Sequence, residues 1–401
     1  MIYRLIKIQF MNQGKFVFAQ VISFLPHQLF NRIAERHEGN KYVKHFSCWN
    51  QMLSMMYGQL NNRDSLRDLI TCIIPHRSSF YHLGLGKNIS RSNLAAANEK
   101  RDSKIYEEFA YHMILEAQKC IEANDDKFLS KIDGPIYAFD STTIDLCLNV
   151  FWWAEFRKAK GGIKLHTLLD VKTNIPTFVY LTEASVHDVN GLDVLKFENG
   201  GFYILDRGYI DYARLYKIEK ADAFFITRAK KNFHFVRIEG RKVKKKLGIL
   251  CDQTVMLKGF YVGEYYPKKI RRIKFIDPET QKRFVFLTNN FELAAIEIAR
   301  LYKYRWRIEL FFKWIKQHLK IKSFWGTTVN AVKTQIYIAI ITYVTIAIIK
   351  SKVKTTYSNY EVLQILGTSL MAKIPLRNLL SQPLPQDFKE QNDIQLKINL
   401  L

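Results

Sequence analysis

The hydrophobic periodicity of the chain changes near residue 134, and this change constrains the fold more than any other feature. Before it, apolar residues recur every three or four positions, as in "FSCWNQMLSMMYGQL" and "SKIYEEFAYHMILEAQKCIEA", which is the period of amphipathic helices. After it, short apolar or alternating stretches are separated by Gly, Pro and Asn turns, as is typical of strands. A helical region followed by a mixed one predicts an α+β or α/β protein with more than one domain.

The strand-like segments follow one another in an informative order. "GPIYAFD" predicts a first strand, and "GIKLHTLLDV" and "PTFVYLTEAS" predict a hairpin around the turn "KTNI". "HDVNGLDVL" predicts a short helix, "GGFYILD" a strand, "YIDYARLYKIEK" a helix and "DAFFITRAK" another strand. Three strands followed by alternating helices and strands is the order of a ribonuclease-H-like core.

A mostly β insertion interrupts this order. "HFVRIEG", "QTVMLKGFYVGEYY", "RRIKFID" and "RFVFLTN" alternate apolar and polar residues, and the cationic runs "RKVKKK" and "KKIRRIK" lie among them. Such runs are usually solvated loops, but beside a catalytic core they suit a DNA platform. We therefore predict a helical N-terminal DNA-binding domain, a core in two parts around the insertion, and a polar tail: residues 11–128, 132–228, 229–292 (the insertion), 293–380 and 381–401.

The charge of the chain favours a nucleic-acid partner. Lys and Arg number 61 against 37 Asp and Glu, a formal net charge of +24 at pH 7, and DNA phosphates bind such an excess regardless of sequence. In the N-terminal region, "ISRSNLAAANEKR" predicts a short helix with Ser90 or Ser92 as N-cap. Short helices with this start resemble a helix-turn-helix reader of DNA, although packing helices share the pattern.

Cysteine usage and hydropathy predict a cytoplasmic protein. The five cysteines are odd in number and form no CxxC pair, which indicates reduced thiols. The run "TQIYIAIITYVTIAII" at 334–349 is short for a bilayer span, so we predict a buried helix and no membrane partner. Both Met1 and Met11 remain open as the natural start.

One predicted helix carries a single acid among cations and aromatics. In "YKYRWRIELFFKWIKQHLKIK", residues 302–322, the acid is Glu309. At roughly 100° per residue, Tyr302, Arg305, Glu309 and Lys316 fall within about 60° of one another, opposite an apolar face. A solvated polar face is the ordinary interpretation. The alternative is a metal-binding carboxylate beside a polyanion that Arg and Lys hold.

Partner acids favour the second interpretation. Asp140 in "YAFDST" and Asp206 in "YILDRGY" each end a predicted strand, and neighbouring strand ends converge at one edge of a sheet. An isolated Asp of this kind is often only a turn former. Together with Glu309, however, these acids form a set that suits two Mg²⁺ ions, for which Mn²⁺ can substitute.

At this point the residues resemble a DDE transposase of the insertion-sequence-four group, of the Bacteroides type. The group's Tyr-x2-Arg-x3-Glu-x6-Lys signature is complete as Tyr302, Arg305, Glu309 and Lys316. Asp140 and Asp206 match the group's first two acids, and the resemblance covers roughly residues 130–350. It implies an enzyme that cuts an insertion sequence out of donor DNA through hairpin ends. Two-metal phosphoryl transfer then joins the element to target DNA.

The resemblance also implies how DNA is held. Tyr302, Arg305 and Lys316 would hold the phosphate near a base flipped out of the helix, and an aromatic stack offsets the cost of flipping. Trp306 is the first candidate for this stack, with core packing as the alternative. The group often has another Trp in its insertion, but none occurs here, so its role passes to Phe233, Phe235 or Tyr261 or is absent.

The remaining signals are weaker. His166 and His187 lie near the predicted site, and we interpret both as structural hydrogen-bonding groups. Four further cations are candidate DNA contacts: Arg207, Arg228, Lys230 and Lys231.

The resemblance also implies a bacterial protein associated with the nucleoid, and it implies the partners. We expect double-stranded DNA, as terminal inverted repeats and target, and a homodimer in the synaptic complex. The alternatives are a ribonuclease-H-like nuclease or resolvase without strand transfer, and an inactive DNA-binding derivative. A pure binder would not need carboxylates that repel phosphates, so the complete set of acids argues against the derivative.

Overall fold

The computed structural model describes residues 14–86, 89–122, 126–157, 160–259 and 264–381. Three predictions concern residues outside these ranges. They are the choice between Met1 and Met11 as the start, Tyr261 as a stacking residue, and the polar tail after residue 381.

Helices precede the sheet, as the periodicity predicts. Three of them begin with a Ser whose hydroxyl accepts a backbone N–H, namely Ser47, Ser65 and Ser90, so Ser90 rather than Ser92 is the N-cap of "RSNLAAANEK". In the described residues before the sheet the α-helices are α1 Val17–Ile22, α2 His27–Arg36, α3 Cys48–Leu60, α4 Leu66–Ile73, α5 Arg91–Lys100 and α6 Lys104–Cys120.

The strands of the described residues form one ten-stranded sheet. Its order is β2-β3-β1-β5-β6-β10-β9-β8-β7, and β4 pairs with β3. The strands are β1 Ile136–Leu146, β2 Glu155–Arg157, β3 Lys160–Asp170, β4 Pro176–Glu183, β5 Phe202–Leu205, β6 Phe224–Arg228, β7 Phe235–Gly240, β8 Ile249–Leu257, β9 Ile270–Ile276 and β10 Arg283–Thr288.

Strand pairing in the first half of the sheet confirms the predicted hairpin. β3 and β4 pair antiparallel, and Asn174 in their turn has a φ of 59°, which Asn tolerates better than most residues. β1 lies between antiparallel β3 and parallel β5. Neighbouring Ala138 and Phe139 are both fully buried, each in a different apolar cluster. The central strand is therefore covered on both faces, which explains its continuous apolar run.

The insertion extends the sheet. β10 pairs antiparallel with β6, and β9, β8 and β7 follow outward in that order. Each of the four segments predicted as strands contains one, but the second, 253–266, is a strand only as far as Leu257, and its residues 260–263 lie outside the described ranges. Because β6 precedes the insertion and hydrogen-bonds to its last strand, the insertion and the first part of the predicted core share one hydrogen-bonded sheet.

The prediction of a single helix over 302–322 was wrong. Between Tyr302 and Arg307 the backbone bonds run from residue i to i−3, with Arg305 N–H donating to Tyr302 C=O at 3.1 Å. The Tyr304 hydroxyl is held there by Asp126 at 2.6 Å, a contact that periodicity does not reveal. The described helices after β5 are α7 Tyr212–Lys220, α8 Ala295–Lys303, α9 Trp306–His318, α10 Val329–Val353, α11 Asn359–Ser369 and α12 Leu376–Leu379.

The long apolar helix α10 lies inside the protein. Its length and composition would allow it to cross a membrane, but 94% of its most apolar window is buried. It packs against α3, α6 and α11. This confirms the predicted buried helix and extends it in both directions.

Candidate active site

The first two predicted acids lie side by side on neighbouring parallel strands. The register pairs Phe139 of β1 with Leu205, the last residue of β5, so Asp140 and Asp206 are the next residues along the two strands. The prediction that β1 ends at Asp140 was wrong, because antiparallel pairing with β3 carries β1 on to Leu146. The two acids therefore meet at the point where β5 ends, while β1 continues past this point.

Hydrogen bonds fix the carboxylate of Asp140. Its Oδ1 accepts the Ser141 N–H at 2.8 Å and the Tyr209 hydroxyl at 3.2 Å. Tyr209 ends the 3₁₀ turn Arg207–Tyr209, directly after Asp206, so the chain that follows the second acid returns to hold the first. Burial raises the pKa of Asp140 to about 6, even though Ser141, Arg305 and Tyr209 lower it.

Replacing Asp140 with Asn is expected to stabilise the metal-free protein at neutral pH. The carboxyl has an ordinary pKa of 3.8, and in the folded protein its pKa rises to about 6. Above about pH 6 the folded state therefore carries a buried charge, and this destabilisation shrinks as the pH falls toward 4. We expect Asp140→Asn to raise the free energy of unfolding by up to about 3 kcal/mol at neutral pH.

Urea unfolding in EDTA, at pH 7.5 and near pH 4, measures this effect. The stabilisation should fall to a small fraction of its neutral-pH value at the lower pH, where the wild-type Asp140 carboxyl is protonated in the folded state and partly protonated in the unfolded state. An equal difference at both pH values would show that the carboxyl charge is not its cause.

A largely buried guanidinium joins the first and third acids. The Arg305 side chain is 15% exposed, and its Nη2 lies 2.6 Å from Glu309 Oε1. Its Nη1 lies 3.7 Å from Asp140 Oδ2. The four-residue spacing brings Arg305 and Glu309 onto one face of the first turn of α9. Glu309, the single acid of residues 302–322, is thus paired with Arg305, the signature cation nearest to it.

Tyr302 supports the second acid. Its side chain is buried, and its hydroxyl donates to Asp206 Oδ1 at 3.3 Å. Burial raises the pKa of Tyr302, so the hydroxyl remains a donor at physiological pH. The Arg305 guanidinium lies 6.0 Å from the centre of the Tyr302 ring. Tyr302, Arg305 and the three acids therefore form one connected group.

Lys316 contacts the backbone rather than an acid. Its Nζ donates to the Thr143 carbonyl at 2.7 Å, which joins α9 to β1 three residues beyond Asp140. Burial lowers the pKa of Lys316. In this structure the fourth signature residue fixes α9 against the central strand.

Lys316→Ala should therefore destabilise the fold. Losing a hydrogen bond from a charged donor costs roughly 1.5–3 kcal/mol. Lys313→Ala is the matched control, because Lys313 is exposed on the same helix, and surface substitutions usually change stability by about 0.5 kcal/mol or less. Urea denaturation of both variants measures the difference. Equal stability of the two would mean that the Thr143 contact is energetically irrelevant.

Among the aromatic candidates that the structure describes, Trp306 presents the most accessible ring. It begins α9 and is 40% exposed, which does not fit the core-packing alternative. Phe233 and Phe235 are partly buried and stack on each other, with ring centres 5.1 Å apart. Stacking of a base on Trp306 stays a prediction.

The four further cations have different surroundings. Arg228 ends β6 with its guanidinium 5.0 Å from the centre of the Phe284 ring. The Lys230 ammonium donates to the Ile210 carbonyl at 3.1 Å. Arg207 and Lys231 are exposed, and neither forms an ion pair within the described ranges. Their contacts with DNA also stay predictions.

Sequence reasoning missed a polar network behind Asp140. Lys164 of β3 is 7% exposed, and its ammonium lies 2.9 Å from Asp188 Oδ1. The Ser141 hydroxyl donates to the same oxygen at 2.6 Å. The network thus holds the residue that follows the first acid. Ser141, Lys164 and Asp188 lie in the sequence contexts "DST", "KLH" and "VHD". These contexts come together only in the folded protein.

His166 behaves as a structural group, as interpreted from the sequence. It is fully buried, and its Nε2 lies 2.9 Å from the Thr182 hydroxyl. Burial lowers the pKa of His166 to about 4, so the ring is neutral at physiological pH. His187 directly precedes the 3₁₀ helix Asp188–Val194.

The chemistry of the three acids suits a divalent cation, although their spacing is not that of a formed site. Carboxylate oxygens are the ligands that Mg²⁺ prefers. Within the described ranges, no three His, Cys, Asp or Glu side chains are grouped closely enough to hold a metal ion. The carboxylates instead form ion pairs and hydrogen bonds with Arg305, Tyr302 and Tyr209.

Comparison with known families assigns the chain. Residues 131–345 match the family model described as "Transposase DDE domain", and the chain belongs to this family. The match includes all three predicted acids and confirms the predicted DDE transposase class at family level. Residues 13–86 match a second family model, "Domain of unknown function (DUF4372)".

Two similar known proteins are described as transposases. "Putative transposase y4zB" of Sinorhizobium fredii is 38% identical over 212 residues, which is 51% of this chain and 58% of the relative. "Probable transposase for insertion sequence element IS5377" of Geobacillus stearothermophilus is 28% identical, over 52% of this chain and 55% of the relative. The chain thus spans little more than half the length of these two relatives.

A comparison with solved structures gives a partial match to one described as "Cryo-EM structure of piggyBac transposase synaptic complex with hairpin DNA (SNHP)". It has a TM-score of 0.41 and 11% sequence identity, covering 85% of this chain and 75% of that one.

Proposed function

We propose that this chain is a DNA transposase that cuts an insertion sequence out of donor DNA and joins it to target DNA. The observation that carries the proposal is the group formed by Asp140, Asp206 and Glu309. These acids come from β1, the end of β5 and α9, and Arg305 and Tyr302 connect them. Membership of the transposase DDE domain family supports it, as does the complete signature of the insertion-sequence-four group.

The sheet order supports a ribonuclease-H-like core. Strands β4, β3, β1, β5 and β6 are neighbours in that order, and β5 and β6 run parallel with α7 between them in sequence. Antiparallel strands on one side of β1 and parallel strands on the other fit that core. We retain the core parts 132–228 and 293–380, the insertion 229–292 and the N-terminal domain 11–128 as the proposed organisation.

Asp140, Asp206 and Glu309 are the residues that would hold two Mg²⁺ ions, or Mn²⁺ in their place. When bound, such ions supply activation of the attacking oxygen and stabilisation of the leaving oxygen. The chain itself supplies the positions of the carboxylates. Ser141 and Tyr209 orient Asp140, Tyr302 orients Asp206, and Arg305 orients Glu309.

The surroundings of the acids suit DNA phosphates and bases. Arg305 is the cation nearest to the acids, so it is placed to contact the phosphate that is cut. Trp306, the next residue, exposes its ring and can stack on a flipped base. Hairpin formation at the transposon end is part of this proposal, with Arg207, Arg228, Lys230 and Lys231 as further contacts.

The proposed partner is double-stranded DNA, both transposon ends and target. The net charge of +24 supports it. Two ends cut in concert require two copies of the site, so we propose a homodimer on DNA, which mass measurement of the end complex can test. A bacterial cytoplasmic location and the absence of a membrane partner are consistent with the burial of α10.

Purified protein incubated with DNA that carries the element's ends tests the function. Transposition predicts Mg²⁺-dependent nicks at the ends, hairpin intermediates and joined products, all absent in EDTA. Cleavage without joining would instead identify a nuclease or resolvase, and binding without cleavage an inactive derivative.

A further inference from the structure

The polar network behind Asp140 lies on the face of the sheet opposite α9. Successive side chains of a strand point to opposite faces, and β1 and β3 pair without a register shift. Ala138 shares an apolar cluster with the buried residues of α9, whereas Phe139 belongs to the other cluster. Ser141 therefore lies on the Phe139 face, opposite the face of Asp140 and α9.

An ion pair ties the segment after β4 to this face. The Lys164 ammonium lies 2.9 Å from Asp188 Oδ1 and donates to the Val186 carbonyl at 2.5 Å. A buried ammonium is costly unless a carboxylate pairs with it, and Lys164 is only 7% exposed. The pair therefore fixes Asp188 against β3, although the Asp188 side chain itself is half exposed.

Close packing gives the 3₁₀ helix that begins at Asp188 little freedom to move. A Cβ atom at Gly191 would lie 2.6 Å from His166 Nδ1 and 2.9 Å from the Phe139 ring, so the backbone of this helix rests directly on β3 and β1. Asp188 is thus held at two points, by Lys164 and by the packing of its own helix.

Ser141 connects this fixed carboxylate to the first acid. Its hydroxyl donates to Asp188 Oδ1 at 2.6 Å, and its backbone N–H donates to Asp140 Oδ1 at 2.8 Å. Tyr209 donates to the same Asp140 oxygen. The other oxygen, Oδ2, faces Arg305 Nη1 at 3.7 Å. The network behind the strand thus helps to set which oxygen of Asp140 faces the signature residues.

We propose that Lys164, Asp188 and Ser141 are positioning residues that set the affinity of the Asp140 carboxylate for a divalent cation. The proposal rests on the proposed function, because it requires Asp140 to bind the ion. The three residues act through the orientation of Asp140 and do not themselves bind the ion. Groups that hold a metal-binding side chain in this way typically change metal affinity by roughly ten- to hundredfold.

Electron paramagnetic resonance of unbound Mn²⁺, in a titration of the free protein, measures this affinity. Ser141→Ala removes the hydroxyl and keeps the backbone N–H, and we expect it to weaken Mn²⁺ binding roughly tenfold. Ser141→Thr keeps the hydroxyl and should bind Mn²⁺ nearly as tightly as the wild type. The Mg²⁺ concentration that gives half-maximal cleavage should rise in Ser141→Ala by a similar factor.

A double-mutant cycle tests whether the network acts as one unit. Asp188→Ala removes the acceptor of both the Ser141 hydroxyl and the Lys164 ammonium, and it should weaken Mn²⁺ binding by roughly ten- to hundredfold. Adding Ser141→Ala to Asp188→Ala should then cause little further loss, because the hydroxyl has already lost its partner. Effects that multiply would show that the two residues act independently.

Two controls separate positioning from folding and from ions bound elsewhere. Leu363→Ala truncates a buried side chain of α11, which packs against α1, α3 and α10. It should destabilise the protein in urea without changing Mn²⁺ affinity. Asp140→Asn identifies the Mn²⁺ that is bound at the acids, and only the binding that it abolishes is compared between variants.

Equal Mn²⁺ affinities and equal Mg²⁺ midpoints in the wild type and Ser141→Ala would overturn the positioning role. A Ser141→Thr variant as impaired as Ser141→Ala would also overturn it, because the hydroxyl would then not be the cause. If the free wild type binds no measurable Mn²⁺, the Mg²⁺ midpoints alone decide. A wild type that neither binds Mn²⁺ nor cleaves end-bearing DNA would instead contradict the proposed function itself.

Discussion

Asp140→Asn, Asp206→Asn and Glu309→Gln are each expected to reduce DNA cleavage by roughly 10³-fold or more, while DNA binding is retained. Each change removes a charge that a divalent cation needs and keeps the shape of the side chain. Binding should be equal or slightly tighter, because a carboxylate that repels phosphates is lost. Cleavage of an end-bearing duplex in Mg²⁺ and anisotropy binding in EDTA measure the two effects separately.

Asp188→Asn is the informative control for the acids. Asp188 is a carboxylate close to the same strands, but it is held by Lys164 and Ser141 rather than by the signature residues. We expect it to retain more cleavage than any of the three acid variants. An acid variant that cleaves as well as the wild type would remove that residue from the proposed metal site.

Arg305→Ala should produce the second largest effect, with end processing impaired more than the initial nick. The substitution removes the guanidinium that orients Glu309 and lies near Asp140, together with the proposed phosphate contact. A charge-assisted contact contributes roughly 1.5–3 kcal/mol, which corresponds to about a ten- to hundredfold loss of hairpin product. Nicked DNA should accumulate, and gel analysis of time courses measures both species.

Three comparisons make the Arg305 result specific. Arg305→Lys should recover only part of the activity, because an ammonium cannot bridge two oxygens as a guanidinium does. Tyr302→Phe removes a single hydroxyl and should cost less. Arg300→Ala, an exposed cation on α8, should process ends as the wild type does. Normal hairpin formation by Arg305→Ala would show that Arg305 only pairs with Glu309.

Local patterns were enough to predict most of the elements. Alternating residues and turn signals located the β3–β4 hairpin and a strand in each of the four insertion segments, because successive side chains of a strand point to opposite faces. The apolar composition of α10 predicted a buried core helix. The three acids were selected because their residue types and sequence contexts were already informative without tertiary structure.

Tertiary contacts determined what the sequence could not predict. At the break before α9, Tyr304 contacts Asp126, a residue far away in sequence. The continuation of β1 past Asp140 depends on pairing with β3. Lys316 faced the acids on a helical wheel, but the position of α9 against β1 brings it to the Thr143 carbonyl. In each case a long-range partner overrode a local rule.

Because β10 hydrogen-bonds to β6, the insertion has no hinge at its junction with the sheet that bears Asp206. A continuous sheet fixes the distances between its strands. β8 lies four strands from β5, which at strand spacings near 4.8 Å amounts to roughly 20 Å. If the cations of the insertion bind DNA, their contact would lie about six base pairs from the cut, at roughly 3.4 Å per base pair. The number of strands would then set the distance between the DNA contact of the insertion and the site of cleavage.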